Sequence, residues 1–171
     1  RAADDPGLAG PGLGARSGAY WVFRALQDFD LHFEFLGLPA HLDAASALLK
    51  RYPRLTVVLD HGMKPQVRNR AFEPWATGID AIARTTRAYC KLSGLVTEAL
   101  PGWDASDIKP YADHLLQAFG PDRLMWGSDW PVVNLNGGFD AWRNAALELI
   151  GGCAGSDQIL GGTACRVYRL C

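Results

Sequence analysis

Three apolar segments of the sequence contain or precede residues that could do chemistry. His61 comes shortly after the segment LTVVL, Lys91 lies within YCKL, and Asp129 comes shortly after RLMW. A carboxylate can take a proton from water, and imidazole or ammonium groups can stabilise a developing negative charge. If the fold brings these side chains together, they form a polar site capable of acid–base chemistry.

Each of these residues also has a purely structural interpretation. Asp129 could cap a turn or the start of a helix. A lone histidine such as His61 is more often hydrogen-bonded for structure than a ligand, and Lys91 could extend its alkyl chain over apolar surface. Trp130 and its neighbour Trp126 are more often packing residues than platforms for a substrate. A functional site is therefore indicated by the conjunction of these residues and by none of them alone.

The segments that would position these residues have the patterns of β-strands separated by helices. FDLHFEF, residues 29–35, alternates apolar and polar side chains and predicts a strand whose polar face carries His32 and Glu34. The short continuous run LTVVL is typical of a strand buried on both faces of a parallel sheet. YCKL and RLMW predict the third and fourth strands. Helical patterns, with Ser106 as a candidate N-cap, cover residues 20–26, 41–52, 72–82, 106–119, 139–150 and 163–170.

The alternation of strands and helices predicts right-handed crossover connections and a parallel sheet. Two architectures remain open at this point, a doubly wound open sheet and a (β/α)8 barrel. The sequence lacks GxGxxG and GxxxxGK[ST], the phosphate-binding loops typical of open nucleotide-binding sheets. A barrel usually takes ~250 residues, so a chain of 171 would supply roughly half of one. In either fold, ligands bind at the carboxyl ends of the strands.

Composition argues against several classes of function. The net charge is −1 without a basic stripe, so binding to nucleic acid or to an anionic membrane surface has little electrostatic support. No apolar run approaches the ~20 residues that a membrane helix needs, and no secretory signal pattern is visible. The four cysteines form no CxxC motif, which favours reduced thiols in a cytoplasmic protein.

A chain of this length is expected to form one domain with a sizeable core. Residues 1–18 are rich in Gly, Pro and Asp and have no apolar period, which predicts a loop or a disordered lead-in. Residues 19–171 would then form the folded domain. The sequence begins with Arg1 rather than Met, so a fragment or a processed product is an open alternative to a complete protein.

Three motifs in this order resemble those of the amidohydrolase-related family of the amidohydrolase superfamily, in particular its sugar-lactonase branch. They are VVLDHGMKP, CKLSGL and DRLMWGSDWPV, which begin at Val57, Cys90 and Asp122. FDLHFEF and the closing segment ILGGTACRVYRL also fit, so the resemblance covers residues 20–170. The pattern is similar to that of fuconolactonase-like and rhamnonolactonase-like enzymes, with pyrone-dicarboxylate lactonase as a cousin.

The resemblance implies an α/β fold in which this chain holds the last four β/α units, with parallel strands, of a distorted (β/α)8 TIM-like barrel. It implies catalytic roles for Asp129 and His61. Contacts with the substrate would come from His32, Lys91 and Trp130. In that scheme Asp129 takes a proton from the attacking water and returns it to the leaving alkoxide of a sugar-acid lactone.

The family also opens its barrel with an HxH pair, and this sequence contains no HxH. Catalytic zinc usually has three protein ligands, and here the candidate metal ligands are His61 and Asp129, with His32 as a third. We therefore expect either no required cofactor or one divalent metal such as zinc, bound weakly by this chain alone. The expected partner is a small sugar lactone of carbohydrate metabolism. A half barrel would also expose two strand edges, which favours self-association.

Two other functions remain open. A decarboxylase or hydratase of the same superfamily could use the same Asp, and a catalytically inactive half barrel could serve as an assembly module. Substrate preference separates the first of these from a lactonase. A lack of turnover, combined with a dimer or larger complex, would indicate the second.

Overall fold

The computed structural model describes residues 17–170, with side chains from residue 21 onward. Within that range, short strands alternate with helices. The strands are β1 His32–Phe35, β2 Thr56–Leu59, β3 Tyr89–Leu92 and β4 Leu124–Trp126. The helices are α1 Ser17–Asp28, α2 Leu42–Arg51, α3 Trp75–Thr85, α4 Ala105–Phe119, α5 Gly138–Ile150 and α6 Thr163–Tyr168. The predicted lead-in at residues 1–18 lies outside the described residues, except that its last two residues belong to α1.

The four strands form one parallel sheet in the order β1-β2-β3-β4. β2, β3 and β4 each pair with the strand that precedes them in the sequence. One α-helix lies in each connection, as the alternating pattern predicts. The prediction of an α/β fold with a parallel sheet is confirmed. This order leaves β1 and β4 at the edges, where neither has a second strand neighbour among residues 17–170.

The two faces of the sheet have different surroundings. Val57, Leu59, Cys90 and Leu92 belong to the main apolar core, together with buried side chains of the helices. Successive side chains of a strand point to opposite faces, so Lys91, between Cys90 and Leu92, lies on the other face. This second face is the one that a closed barrel turns toward its axis, and we call it the inner face.

The C-terminal helix α6 connects the two edges of the sheet. Near its start, Thr163 Oγ1 donates a hydrogen bond to the carbonyl of Pro121, just before β4, at 2.7 Å. At its end, the Tyr168 hydroxyl donates to Glu34 on β1 at 2.7 Å. The helix therefore extends from β4 to β1, on the inner face that also carries Lys91.

The first strand is shorter than its sequence pattern predicts. Alternation begins at Phe29, but β1 begins at His32, and the Phe29 and Leu31 side chains are 76% and 52% exposed. The backbone N–H groups of Phe29 and Leu31 donate to carbonyls of α1, and Asp30 between them has φ +52. These residues terminate α1 by satisfying its last carbonyl groups, so they are not available to pair in the sheet.

The start of α4 also differs from the prediction. Asp104, and not Ser106, is the N-cap: its side chain accepts a hydrogen bond from the backbone N–H of Ser106 at 2.7 Å. A carboxylate suits this position because it accepts from unpaired N–H groups and lies at the positive end of the helix dipole.

The cysteines differ from the prediction of four reduced thiols. Cys165 is disulfide-bonded, whereas Cys90 and Cys153 carry free thiols. The cytoplasmic location, which drew on reduced thiols, stays a prediction. No helix in the described part of the chain combines the length and the apolar character that crossing a membrane requires.

Candidate functional site

The turn after β2 places two polar residues at the carboxyl end of the sheet. Asp60–Met63 form a tight turn in which His61 and Gly62 both have φ +54. A left-handed backbone is uncommon for a residue that carries a side chain, and it persists only where the surrounding structure enforces it. Trp75 Nε1 on α3 donates to the Gly62 carbonyl at 2.7 Å, and this buried hydrogen bond holds the turn in place.

The segment after β4 is built in a similar way. Asp129 has φ +56, and its carbonyl accepts a hydrogen bond from the Val133 N–H at 2.9 Å. Trp142 Nε1 on α5 donates to the Gly127 carbonyl at 2.8 Å. At both strand ends an indole on a helix anchors the backbone, and a polar residue adopts the left-handed conformation. This common construction fixes the positions of His61 and Asp129.

The side chains of His61 and Asp129 meet at these strand ends. Asp129 Oδ1 lies 3.4 Å from His61 Nε2, and the two side chains are 8% and 18% exposed, respectively. On the other side of the ring, Nδ1 lies 2.8 Å from Ser93 Oγ, just after β3. Asp129 Oδ2 is buried and has no hydrogen-bond partner in the part of the chain that the structure describes. One carboxylate oxygen is therefore next to His61, and the other has no partner among the described residues.

Two glycines allow the strand ends to approach each other. Gly94 has φ +62, and a β-carbon built there would lie 2.6 Å from His61 Cγ. The imidazole therefore packs directly on the backbone after β3, in space that any side chain would fill. A β-carbon at Gly127 would lie 3.2 Å from Ser93 Cβ, so Ser93 in turn packs against the end of β4.

The imidazole of His61 is neutral at neutral pH. Burial lowers the pKa of His61, although the negative charges of Asp129 and Asp60 act in the opposite direction. A neutral ring can accept a hydrogen bond from the Ser93 hydroxyl at Nδ1 and carry its own proton on Nε2, next to Asp129. In that state the ring orients the carboxylate without cancelling its charge.

Lys91 is held between two carboxylates on the inner face. Its Nζ lies 2.7 Å from Glu34 Oε2 on β1 and 2.8 Å from Asp60 Oδ1 after β2. Burial by itself lowers the pKa of Lys91, but hydrogen bonds and charges of Asp60 and Glu34 outweigh it, so that the pKa is raised overall. Lys91 therefore carries a positive charge that the two neighbouring carboxylates share.

Tyr168 on α6 extends this arrangement. Its hydroxyl donates to Glu34 Oε1 at 2.7 Å, and Lys91 Nζ lies 5.6 Å from the centre of its ring. Burial, and next the hydrogen bond to Glu34, raise the pKa of Tyr168 to about 12, so the hydroxyl keeps its proton. The ring of His32 packs edge-on against the Tyr168 ring, with the two ring centres 4.9 Å apart.

A cavity of ≈370 Å³ joins most of these groups; its lining includes His61, Lys91, Asp129 and Trp130, together with Asp60, Ser93, Met125, Trp126, Gly127, Ser128, Ala164 and Tyr168. Four of the five site residues predicted from the sequence are thus brought together. The fifth, His32, does not line the cavity, and its Nε2 lies 3.7 Å from Glu34 Oε1. Trp130 is 68% exposed and borders on solvent.

Several members of this site have no role predicted from the sequence. Ser93 directly follows the third strand, and its place at a strand end is a signal that could have identified it. Asp60 and Glu34 are visible as polar residues of strands, but their pairing with Lys91 is not. Tyr168 is 134 residues from Glu34, and no local pattern connects the two.

The described residues offer few ligands for a metal ion. His61 Nε2 and Asp129 Oδ1, the predicted ligand pair, lie 3.4 Å apart, whereas His32 does not line the cavity. Within residues 17–170, no group of three or more His, Cys, Asp or Glu side chains is arranged to hold a metal ion. Because catalytic zinc usually has three protein ligands, these residues do not form a complete zinc site.

Relatives of known sequence share much of this chain. A family profile with the description Amidohydrolase matches residues 5–170. L-fucono-1,5-lactonase from Burkholderia ambifaria is 39% identical over 152 residues, which are 85% of this chain and 52% of the relative. The chain therefore spans about half the length of the curated L-fucono-1,5-lactonases that it matches.

Solved structures share the arrangement of strands and helices. An amidohydrolase from Burkholderia multivorans with bound Zn superposes with a TM-score of 0.83 at 33% identity, covering 90% of this chain and 58% of that chain. A TIM-barrel protein from Bordetella bronchiseptica superposes with a TM-score of 0.58 at 19% identity, over 88% of this chain and 50% of that one. The four-stranded sheet is thus part of a TIM-type barrel, as predicted. The match over nearly the whole sequence establishes that the chain belongs to the amidohydrolase family.

Proposed function

We propose that this chain carries catalytic residues for the hydrolysis of a lactone, with Asp129 activating the attacking water. The observation that supports this function best is the buried Asp129 carboxylate, which is adjacent to a neutral His61 and has one oxygen without a partner in the described chain. A general base needs an ionised oxygen within hydrogen-bond reach of the proton that it removes. Asp129 lines the cavity, so a water held in the cavity would lie next to its carboxylate.

The reaction would proceed in two steps. Asp129 takes a proton from water while the water oxygen bonds to the lactone carbonyl carbon. The ring C–O bond then breaks, and Asp129 returns the proton to the leaving alkoxide, which yields the open hydroxy acid. The Nε2 proton of His61 and the ammonium of Lys91 stabilise the negative charge on the carbonyl oxygen. Trp130 contacts the substrate ring at the exposed side of the cavity, and His32 supports that region through Tyr168.

The substrate in this proposal is a sugar-acid lactone. Two points support it: the name L-fucono-1,5-lactonase of the relative from Burkholderia ambifaria, and a cavity of ≈370 Å³, within the ~300–1,000 Å³ typical of small-molecule sites. A bound metal would add Lewis-acid polarisation of the carbonyl, and His61 and Asp129 are the residues that would contact it. The two-ligand arrangement does not complete a zinc site, so no step of the proposed reaction depends on a metal.

We also propose that the edges of the sheet are sites of association. β1 and β4 have unpaired edges within residues 17–170, and exposed apolar side chains flank β1 in the chain, such as Leu31 and Leu36. Unpaired parallel edges flanked by apolar surface favour pairing with another β/α unit. That unit could be a second copy of this chain or the remaining part of a barrel.

A panel of substrates tests the proposed reaction. We expect the chain to open sugar-acid lactones, including L-fucono-1,5-lactone, faster than an enzyme-free blank in a pH-stat, because the carboxylate base and its cavity are formed within the described residues. Consumption of carboxylate substrates without lactone opening would instead indicate a decarboxylase or hydratase. Folded protein without turnover, but with a dimer or larger complex by light scattering, would indicate an assembly module.

Replacement of Gly94 tests the role of the His61 position. In Gly94→Ala the new methyl group would occupy the space of the imidazole, and a displacement of ~1 Å can lower turnover about 10²-fold. Gly102→Ala is the matched control, since Gly102 also has positive φ, at +82, but a β-carbon built there would meet no atom within 4 Å. Turnover and the NMR signals of the His61 ring should change in Gly94→Ala alone. Equal changes in both variants would contradict the assigned role.

A zinc titration tests the incomplete metal site. We expect weak binding without a fixed stoichiometry, because His61 and Asp129 supply two ligands and catalytic zinc usually needs three. Isothermal titration calorimetry of the chain, with the His61→Gln variant as control, measures this directly. Tight binding of one zinc per chain that is lost in His61→Gln would refute the prediction.

A further inference from the structure

Tyr168 joins α6 to Glu34 on the first strand. Its hydroxyl donates a hydrogen bond of 2.7 Å to Glu34 Oε1, and the other oxygen of Glu34 lies 2.7 Å from Lys91 Nζ. The two contacts use both oxygens of one carboxylate. A shift of Glu34 would therefore change the position of the Lys91 ammonium.

Lys91 has at least one N–H group left over after these contacts. An ammonium carries three N–H donors: Glu34 Oε2 accepts one at 2.7 Å, and Asp60 Oδ1, an ion-pair partner 2.8 Å from Nζ, can take up at most a second. The cavity that contains Asp129 is also lined by Lys91 and Tyr168. The third N–H is thus the group with which Lys91 can bind an oxygen atom of a molecule in the cavity.

We propose that Tyr168 is a positioning residue that acts through Glu34 to orient this third N–H of Lys91 toward the substrate. Tyr168 holds Glu34, Glu34 and Asp60 hold the ammonium from two sides, and the remaining donor binds a carbonyl or hydroxyl oxygen of the lactone. The part of this inference that concerns the substrate rests on the proposed lactone hydrolysis. The part that concerns Tyr168, Glu34 and Lys91 does not.

The ring of Tyr168 has separate contacts that a Phe would keep. It lies 5.6 Å from Lys91 Nζ and packs edge-on against His32 with ring centres 4.9 Å apart. Tyr168→Phe therefore removes the hydroxyl and leaves these ring contacts in place. Tyr89→Phe is a matched control, because Tyr89 is also on the sheet, two residues from Lys91, and its hydroxyl has no hydrogen bond within the described chain.

Lysine-selective ¹⁵N NMR of the whole chain measures the orientation of Lys91 without an assay of activity. The Lys91→Met variant identifies the Lys91 ammonium signal by its loss. In Tyr168→Phe we expect the exchange of those ammonium protons with water to accelerate by about threefold or more, since a hydrogen bond to a charged partner is lost. In Tyr89→Phe we expect these protons to exchange at the same rate as in the unsubstituted protein.

A double-mutant comparison shows whether Tyr168 acts through Glu34. In a Glu34→Gln background, the added Tyr168→Phe change should leave the exchange rate of Lys91 unaltered, because the residue that transmits the effect is already changed. An unaltered rate in the single variant Tyr168→Phe would overturn the positioning role. If Tyr168→Phe accelerates the exchange of the Lys91 ammonium protons equally in the Glu34→Gln background, Tyr168 does not act through Glu34.

Kinetics on the lactone panel test the substrate contact. Tyr168→Phe should lower kcat about threefold or more, because the third N–H stabilises the negative charge that develops on the carbonyl oxygen. An unaltered kcat, despite faster ammonium exchange, would overturn the contact between Lys91 and the substrate. If the unsubstituted chain opens no lactone, the proposed function fails, and the NMR experiment still decides the role of Tyr168.

Discussion

The parallel direction of β2, β3 and β4 is the constraint on which the site depends. It brings the carboxyl ends of three strands to one edge of the sheet, where His61, Ser93 and Asp129 each follow a different strand. Parallel pairing alone leaves these residues several ångströms apart. The close approach comes from Gly94 and Gly127, whose lack of side chains lets the imidazole and Ser93 pack between the strand ends.

The distribution of charge over the inner face separates two kinds of carboxylate. Glu34 and Asp60 share the single positive charge of Lys91. Asp129 faces a His61 whose pKa is lowered by burial, so the nearest ring is neutral and brings no positive charge to the Asp129 carboxylate. A base at neutral pH requires this second situation, because a firmly paired carboxylate has a reduced tendency to take a proton.

The sequence predicts the parts of this structure that depend on local pattern. Buried apolar runs locate β2 and β3, and the polar residues after the first and within the second give His61 and Lys91. The pattern fails at Phe29, where alternation looks like a strand but the backbone is used to end α1. It also fails for contacts between distant residues: Tyr168 meets Glu34 only because α6 crosses from one edge of the sheet to the other. Pairings of this kind depend on tertiary geometry and leave no periodic trace.

The Asp129 carboxylate is the proposed general base, and the rate of lactone opening by Asp129→Asn tests this role most directly. The substitution keeps the size of the side chain and removes its ability to take a proton. Asp113→Asn, at a half-exposed carboxylate on α4, is the control for loss of one negative charge. Loss of a general base should lower turnover by ~10²–10⁴-fold in Asp129→Asn and leave Asp113→Asn unaffected. Turnover by Asp129→Asn within about tenfold of the unsubstituted protein would contradict the assignment.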